Sequence, residues 1–427
     1  MKHLLSYLMV ASCLWGCGDD ETVSRFVDEP ASTGSSSDGA LPPPRTPLFK
    51  KDYDYRYLLV DMADRVVMPS IQSFEQEVLQ LSESLGSACE GGDAASIENE
   101  IINARAQWLS AMSRWQHLEL QWLGPLAENE NVLRNRIYSF ETPARAEACA
   151  VDIAVVAAAD ANFDAATRAN TARGLGALEY LLFNENLNTA CSMAVQQTQN
   201  WNALPELDKL QMRCRYAQLA ANDVKAQANN LTEAWAIESG NYRSRFINPD
   251  NTSHHLKQLS DGLFYIEKET KDAKLGRPLG FYDCLQLACP KAVESRYAAM
   301  NAQHIADNLR AFKVVFNGAN GQGFDDVIAH EGYAEIAQEI NASVDAAIVL
   351  AEQLGAQDLQ VQSQAIVDDT SESASAACQA ASANPSVEDG DFCDLHGFIK
   401  NITDQMRTDF VTIVNVDLPK RAQSDND

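Results

Sequence analysis

Four charged residues beside apolar helical runs are the strongest candidates for chemistry in this chain. Arg173 precedes the apolar stretch GLGALEYLLF, and Glu179 lies inside it. Glu294 and Arg296 stand in VESR, just ahead of another helical pattern. A charge near a protein interior is costly unless it is paired or functional. The four residues therefore predict either a salt-bridge network between helical bundles or a polar cleft that binds an anion, a metal complex or a peptide carboxylate.

A transition-metal centre would normally need histidine beside these carboxylates. His117, close to Glu119 in WQHLELQW, is the best candidate, and with Glu179 it forms a candidate site for a divalent metal. Whether the two side chains face each other depends on the tertiary structure. The other histidines beyond the N-terminal segment are predicted to be surface or helix-capping residues: His254, His255, His304, His330 and His396.

Common enzyme motifs are missing from the sequence. His330 and Glu331 begin an HExxH pattern, but Ala334 stands where the second histidine is required, which excludes the zincin motif. No GxSxG nucleophile motif occurs. The glycines between Gly318 and Gly323 follow a helical segment rather than a strand, which favours a flexible connection over a phosphate-binding loop. No catalytic residue is therefore assigned.

Composition limits the class of partner. The 427 residues include 60 Asp and Glu against 33 Lys and Arg, for a formal charge of -27 and a pI near 4.6. This balance leaves no large basic surface to attract a phosphate backbone, so we expect no nucleic-acid binding. Hydrophobic residues make up 46% of the chain, an ordinary globular proportion. The length predicts one large domain or two of medium size.

The N-terminus has the pattern of an export signal. It reads MKHLLSYLMVASCLWGCGDD, with one lysine, a short apolar run and then small residues with cysteine. The segment resembles a lipoprotein signal that is acylated at Cys17, with Cys13 as the alternative, so residues 1–16 are the predicted signal peptide. Residues 17–52, rich in Ser, Gly and Pro, are predicted to be a disordered tether.

A lipid anchor would place the protein in the cell envelope, attached to the membrane on its periplasmic side. Neither Cys17 nor Cys13 is followed by aspartate. In bacterial lipoproteins an aspartate there tends to mean retention at the inner membrane. Its absence favours the outer membrane.

The remaining cysteines suit an oxidising compartment. They are even in number, and none forms a CxxC pair of the kind that metal thiolate sites use: Cys89, Cys149, Cys191, Cys214, Cys284, Cys289, Cys378 and Cys393. Four disulfides are predicted. The short separations of Cys284 from Cys289, Cys378 from Cys393 and Cys191 from Cys214 suit local loop closures, but the sequence leaves the connectivity open.

Hydrophobic periodicity predicts an all-α fold of two helical bundles, residues 53–240 and 254–420. Apolar residues step by three and four along nearly the whole chain after Tyr53, and the polar, aperiodic segment 241–253 suits a domain boundary. Trp108, Trp115 and Trp122 follow each other at heptad spacing, which favours core packing. The predicted helices cover 53–85 (kinked at Pro69), 96–123, 152–161, 167–183, 204–238, 255–272, 292–316, 323–354 (with a break left open), 357–381 and 395–416.

The stretch RGLGALEYLLF at 173–183 resembles the signature region of the imelysin-like, or imelysin peptidase, family of bacterial envelope proteins, which reads GxHxxE. Other stretches agree in order: Trp108 and Trp115 ahead of GPL at 124–126, RIYSFETPARAEACAVD at 136–152, KLGRPLG at 274–280, VESRYAAMNAQHIADNLRAF at 293–312 and GQGFDDV at 321–327. The resemblance extends over roughly residues 53–420.

The resemblance implies a duplicated helical-bundle fold, a site near the signature, and a link to iron handling or to proteolysis. Gly174 matches the first signature position and Glu179 the last, but Gly176 stands at the position of the histidine. Losing the imidazole leaves one carboxylate on that helix face, too few ligands for a catalytic zinc site. The resemblance therefore favours binding over catalysis.

The function expected from the sequence is that of a membrane-anchored periplasmic binding protein, plausible in iron or haem acquisition, with its ligand site between the two bundles. Iron-uptake machinery is then a possible partner. One alternative is an imelysin-type metallopeptidase. The other is an interaction scaffold without a small ligand, which a cleft fully filled by side chains would favour.

Overall fold

Long antiparallel helices build the part of the chain that the computed structural model describes, namely residues 53–140, 144–419 and 422. The predicted signal peptide (1–16), the tether (17–52) and both candidate acylation sites, Cys17 and Cys13, lie outside this part. None of the described helices is long and apolar enough to cross a lipid bilayer.

A first set of helices surrounds the tryptophan-rich helix α3. Their bounds are α1 (Tyr55–Asp61), a π-helical turn (Met62–Val67), α2 (Met68–Ser84), α3 (Ala94–Glu119), α4 (Val132–Ile137), α5 (Ala148–Ala157), α6 (Gly174–Phe183) and α7 (Glu206–Trp235). Helix α2 packs on α3 and α7, and α6 lies against both α3 and α7. This arrangement holds the signature helix α6 by its apolar residues.

A second set of helices follows α7. Their bounds are α8 (Tyr242–Phe246), α9 (Thr252–Leu263), a π-helical stretch (Ile266–Gly276), α10 (Arg277–Leu279), α11 (Asn301–Phe316), α12 (Phe324–His330), α13 (Ala334–Gln353), α14 (Leu359–Asp368), α15 (Ser373–Ala383), α16 (Phe392–Gln405), a π-helical turn (Met406–Phe410) and α17 (Val411–Val414). Helix α13 packs on α11 and α16, and α11 also packs on α3 of the first set.

The described residues contain helices, turns and loops but no strand, which confirms the all-α prediction. All of them belong to one compact unit. The domain bounds 53–240 and 254–420 stay a prediction. Within the proposed boundary segment 241–253, helix α8 buries Tyr242 and Phe246 against Trp235, with ring centroids 5.0 and 5.5 Å apart. That segment is thus packed rather than an open polar linker.

Several of the predicted helices are shorter or broken, and the helix predicted over 167–183 begins only at Gly174, as α6. The stretch 323–354 breaks at Gly332, whose φ of +96° suits glycine. The stretch 357–381 divides after Asp368, where the Asp369 side chain accepts hydrogen bonds from the backbone N–H groups of Ser371 and Ala374 and Glu372 takes a left-handed φ of +60° ahead of α15. The stretch 292–316 becomes helical only at Asn301. Residues 293–300 take a non-helical course, as described below.

The tryptophan prediction is confirmed for two of the three residues. Trp108 and Trp115 are fully buried on α3. Trp122 lies beyond the end of α3 and is half-buried, and its Nε1 donates to Asn131 at 2.7 Å. Pro69 enters at the first turn of α2, directly after the π-helical turn that interrupts the predicted helix.

Four disulfides join the eight described cysteines. The two local predictions, Cys284–Cys289 and Cys378–Cys393, are confirmed. The pairing suggested by the spacing of Cys191 and Cys214 is wrong. Helix α7 instead brings Cys214 against Cys89, and Cys149 at the start of α5 pairs with Cys191: Cys89–Cys214 and Cys149–Cys191. Spatial neighbours in a helical bundle are often distant in sequence, so chain separation was a poor guide.

Candidate functional site

Glu179 lies on the buried face of α6 and holds a non-helical segment of chain in place. Its Oε1 accepts hydrogen bonds from the backbone N–H groups of Tyr297 (2.9 Å) and Ala298 (3.1 Å) and from Ser295 Oγ (3.3 Å). Among the described residues, no donor reaches Oε2. Burial raises the pKa of Glu179 above its ordinary value, although the Ala298 and Tyr297 N–H groups oppose this.

The segment 293–300 explains why the helix predicted from Ala292 begins late. Two of its N–H groups are used by Glu179, and Ala299 takes a left-handed φ of +54°. The Asn301 side chain accepts from Ser295 N at 3.1 Å and closes the loop. The apolar periodicity of this stretch therefore describes burial rather than a helix.

Glu294 anchors a buried charged network next to Glu179. Its Oε1 accepts from Tyr138 OH at 2.9 Å and lies 3.1 Å from Lys274 Nζ, and its Oε2 lies 3.2 Å from His304 Nδ1. Lys274 Nζ also lies 2.8 Å from Glu119 Oε2. Burial alone would raise the pKa of Glu294, but Lys274 and His304 outweigh it and hold that pKa well below its usual range.

The wide turns of a π-helical stretch carry Lys274 into this network. Ile266–Gly276 is π-helical, an uncommon geometry that often marks functional positions. Gln116 and Asn308 complete the polar shell of the ammonium group, with oxygen atoms 2.6 and 2.9 Å from Lys274 Nζ. The network thus joins α3, α11, the π-helical stretch and the segment 293–300.

A cavity of about 270 Å³ lies between α6 and the segment 293–300. Its wall contains carboxylates, cations, aromatic rings and small residues: Tyr138, Ser139, Phe140, Arg145, Ala146, Glu147, Ala148, Val151, Gly176, Glu179, Tyr180, Lys291, Glu294, Arg296 and Tyr297. A Cβ added at Gly176 would meet Ala146 Cβ at 3.0 Å and the Tyr138 ring beyond it. The position that the family resemblance assigns to histidine therefore faces this wall.

Three cations surround the cavity without carboxylate partners among the described residues: Arg145, Lys291 and Arg296. Arg145 donates to Val293 O at 2.7 Å and lies 4.7 Å from the Phe140 ring. Lys291 and Arg296 are exposed. Because no described acid pairs with these three side chains, they are available to an anion that enters the cavity.

The structure brings together Glu179, Glu294 and Arg296 from the sequence prediction. Arg173 lies elsewhere, in a buried ion pair with Asp223 at 2.5 Å. Gly174 does not line the cavity either. The prediction of a polar cleft therefore applies to Glu179, Glu294 and Arg296. The prediction of a salt-bridge network applies to Arg173, which pairs with Asp223, and to Glu294, which pairs with Lys274.

Gly174 has a structural role, which a substitution can test. Its φ is +74°, and a Cβ there would lie 2.4 Å from Ile137 O. Gly174→Ala is expected to lower the free energy of unfolding by at least about 2 kcal/mol, from left-handed strain plus the clash. Denaturant unfolding measures this. Gly355→Ala is the control, because a Cβ there meets nothing within 4 Å; equal effects of the two variants would refute the backbone argument.

His117 is half-buried on α3 and does not line the cavity. Burial lowers its pKa, and the charged groups that act on it are Asp307, Arg114 and Arg310 rather than Glu179. The prediction that the other histidines are surface or capping residues is wrong for His255, His304 and His396, which are buried. Each finds a polar partner inside the fold, respectively Gln258, Glu294 and Ser382.

The residues present do not fit a bare divalent cation. In the described part of the chain, one group of potential ligands has suitably close donor atoms, namely Cys89, Glu100 and Cys214, but its two sulfurs form a disulfide. At the cavity, Glu294 is already neutralised by Lys274. Two carboxylates faced by cationic side chains, with the His304 imidazole already paired with Glu294, are a poor donor set for iron or zinc.

The charge of Glu179 gives a pH-dependent prediction. Because its pKa is raised on folding, the parent protein loses stability as pH rises from the ordinary glutamate value of 4.5 through the folded value. Glu179→Gln is therefore expected to be more stable than the parent at about pH 8 and to lose that advantage at about pH 4. Denaturant unfolding at both pH values measures it, with the exposed Glu185→Gln as control. A destabilisation independent of pH would contradict the argument.

A family model described as Imelysin (Peptidase_M75) matches residues 67–386, which is most of the chain. The chain belongs to the imelysin family. The matched region contains the signature helix α6, the cavity and the Lys274 network, so this site is part of the imelysin domain itself. No curated protein sequence matches the chain.

Two solved structures share the imelysin fold. An imelysin-like protein from Psychrobacter arcticum 273-4 has a TM-score of 0.61 at 14% identity, covering 85% of this chain and 96% of that one. A protein from Parabacteroides distasonis ATCC 8503, named as an iron-regulated protein A precursor, has a TM-score of 0.56 at 12% identity, covering 84% of this chain and 97% of that one. These likenesses establish the fold.

Sequence reasoning missed four residues of the site. Tyr138, Arg145 and Lys274 occur in the stretches 136–152 and 274–280, which matched the family pattern. None of the three was predicted to be a site residue. Lys291 lies just ahead of VESR. Lys274 stands among other charged residues in IEKETKDAKLG, so no pattern in the sequence distinguished it.

Proposed function

We propose that this chain is a non-enzymatic binding protein of the cell envelope, held on the periplasmic side of the membrane, preferably the outer membrane, by a lipid on Cys17 or, as the alternative, Cys13. Its ligand site is the cavity beside Glu179, and its role is in iron or haem acquisition. The export-like N-terminus supports the location. Membership of the imelysin family and the name of the Parabacteroides distasonis neighbour support the link to iron.

The observation that carries the proposal is a trio of cations around the cavity, Arg145, Lys291 and Arg296, which form no ion pair with any described residue. The wall holds three cations and three carboxylates, and because Glu294 is already paired with Lys274, an anion that enters the cavity can reach cations that no described acid pairs. Iron would therefore bind as an anionic complex, or as haem through its carboxylates, rather than as a bare cation. The nearby Glu179 and Tyr138 offer further hydrogen bonds to an organic ligand.

The two alternatives lack a specific observation in their favour. A metallopeptidase needs three protein ligands and an open position on its metal, and the cavity wall offers no imidazole. A scaffold without a small ligand was expected to have a cleft filled by side chains. The cavity of about 270 Å³ leaves that cleft open.

Calorimetric titration of the mature, acylated chain in detergent tests this function, with ferric citrate, haem and ferrous ion as separate probes. We expect ferric citrate or haem to bind, and Arg296→Gln to weaken that binding roughly 10- to 100-fold, as for loss of one charged hydrogen bond. Arg215→Gln removes another exposed arginine, on α7, and should leave binding unchanged.

Two results would overturn the proposed function. One is that none of the three probes binds. The other is that Arg296→Gln and Arg215→Gln reduce binding equally, because the protein would then respond to total charge and not to the cavity.

A further inference from the structure

We infer that the cavity recognises a small aminodicarboxylate, with the ligand's ammonium group on Glu179 and its two carboxylates on the cations around the cavity. The inference concerns the same cavity but goes beyond the proposed function, because it assigns a ligand class that carries no iron. It adds an amine requirement that an anion site alone would not have.

The ammonium position follows from the two oxygens of Glu179. Oε1 is fixed by Tyr297 N, Ala298 N and Ser295 Oγ, so the carboxylate cannot turn freely. Oε2 has no donor among the described residues, although the side chain is 94% buried and lines the cavity. A buried carboxylate without a counter-charge is costly, and a ligand ammonium would supply that charge.

Glu294 cannot serve as a second ammonium site. Its Oε1 already accepts hydrogen bonds from Tyr138 OH (2.9 Å) and Gln116 Nε2 (3.0 Å) and lies 3.1 Å from Lys274 Nζ. Its Oε2 lies 3.2 Å from His304 Nδ1. Lys274 is thus a built-in counter-charge that occupies the place of a second ligand amine. Of the two buried carboxylates in the wall, Glu179 is therefore the one left to accept a ligand ammonium group.

The number of carboxylates on the ligand is inferred from the cations around the cavity. Arg145, Lys291 and Arg296 have no ion pair with any described residue, and Glu147 is the one further acid in the wall. The single negative charge of Glu147 can offset the positive charge of at most one of the three cations. Two remain, which matches a ligand with two carboxylates, and arginine binds carboxylate through paired parallel hydrogen bonds.

The size and the walls of the cavity suit a short aliphatic ligand. Its volume of about 270 Å³ lies just below the roughly 300–1,000 Å³ of pockets for drug-sized ligands. The rings of Phe140, Tyr180 and Tyr297 give apolar contact for methylene groups between the charged ends. An acidic α-amino acid has these features in one molecule: one ammonium, two carboxylates and one or two methylenes.

Calorimetric titration of the mature, acylated chain tests the inference with matched probes. L-glutamate and L-aspartate carry the amine, while glutarate and succinate lack it, and putrescine carries amines alone. We expect the amino acids to bind at least tenfold more tightly than their amine-free counterparts, and putrescine not to bind. Glu179→Gln should abolish the preference for the amine while keeping a parental or higher midpoint of unfolding.

The variants separate the two ends of the ligand. Arg296→Gln should weaken L-glutamate and glutarate alike, and Arg215→Gln should weaken neither. Equal affinity of the parent for L-glutamate and glutarate would overturn the inference. So would a preference for the amine that survives in Glu179→Gln.

The outcomes also distinguish this inference from the proposed function. If ferric citrate or haem binds and needs Arg296 but the amine gives no advantage, the function stands and the aminodicarboxylate is wrong. If L-glutamate binds through Glu179 while no iron complex binds, the ligand class stands and the iron role fails. If no probe binds, both are wrong.

Discussion

Replacing Lys274 with methionine is expected to lower the free energy of unfolding by about 3–5 kcal/mol, the usual cost of breaking a buried ion pair by removing one partner. The ammonium group is fully buried and lies 2.8 Å from Glu119 and 3.1 Å from Glu294. Methionine keeps most of the volume but leaves two buried carboxylates without their cation. Denaturant unfolding at neutral pH measures the loss.

A surface pair provides the control for this prediction. Lys313 lies 2.5 Å from Asp345, but both side chains are partly exposed. Lys313→Met is therefore expected to cost less than about 1 kcal/mol. Adding Glu119→Gln to Lys274→Met should recover part of the loss, because one uncompensated charge is removed. Similar costs for the two lysine variants would mean that Lys274 is not desolvated as its contacts indicate.

The second large effect is expected at the disulfide Cys89–Cys214. Its cysteines are 125 residues apart, so reduction releases a long loop in the unfolded state. On the loop-entropy relation, the double variant Cys89→Ala/Cys214→Ala should lose about 5 kcal/mol. The double variant Cys284→Ala/Cys289→Ala, with a separation of 5 residues, should lose only about 2 kcal/mol. Guanidinium unfolding of both oxidised variants measures the difference.

An equal loss from the two disulfides would contradict the loop argument. It would mean that the unfolded chain is already compact enough for Cys89 and Cys214 to remain close without the bond. Mass analysis under non-reducing conditions confirms, for each variant, that the other three disulfides are intact before unfolding is measured.

The site could be predicted in part. Glu179, Glu294 and Arg296 were chosen because charges beside apolar runs are expensive to bury, and that argument holds whatever the fold. Arg173 satisfied the same rule through a different partner, Asp223. The rule identifies residues that need a partner but cannot say which partner, since partners come from helices remote in sequence.

The sequence by itself determined the all-α class, the family pattern and the core positions of Trp108 and Trp115, and it favoured the two local disulfides while leaving the connectivity open. Each depends on residues within a few turns of one another, so periodicity and spacing are enough. The tertiary structure decided the long-range disulfides, the non-helical course of 293–300 and the place of Lys274 between Glu119 and Glu294. Those features arise because Glu179 and Lys274 take partners from other parts of the chain once the helices pack. The residue pattern along one helix does not show which residues of another helix will lie against it.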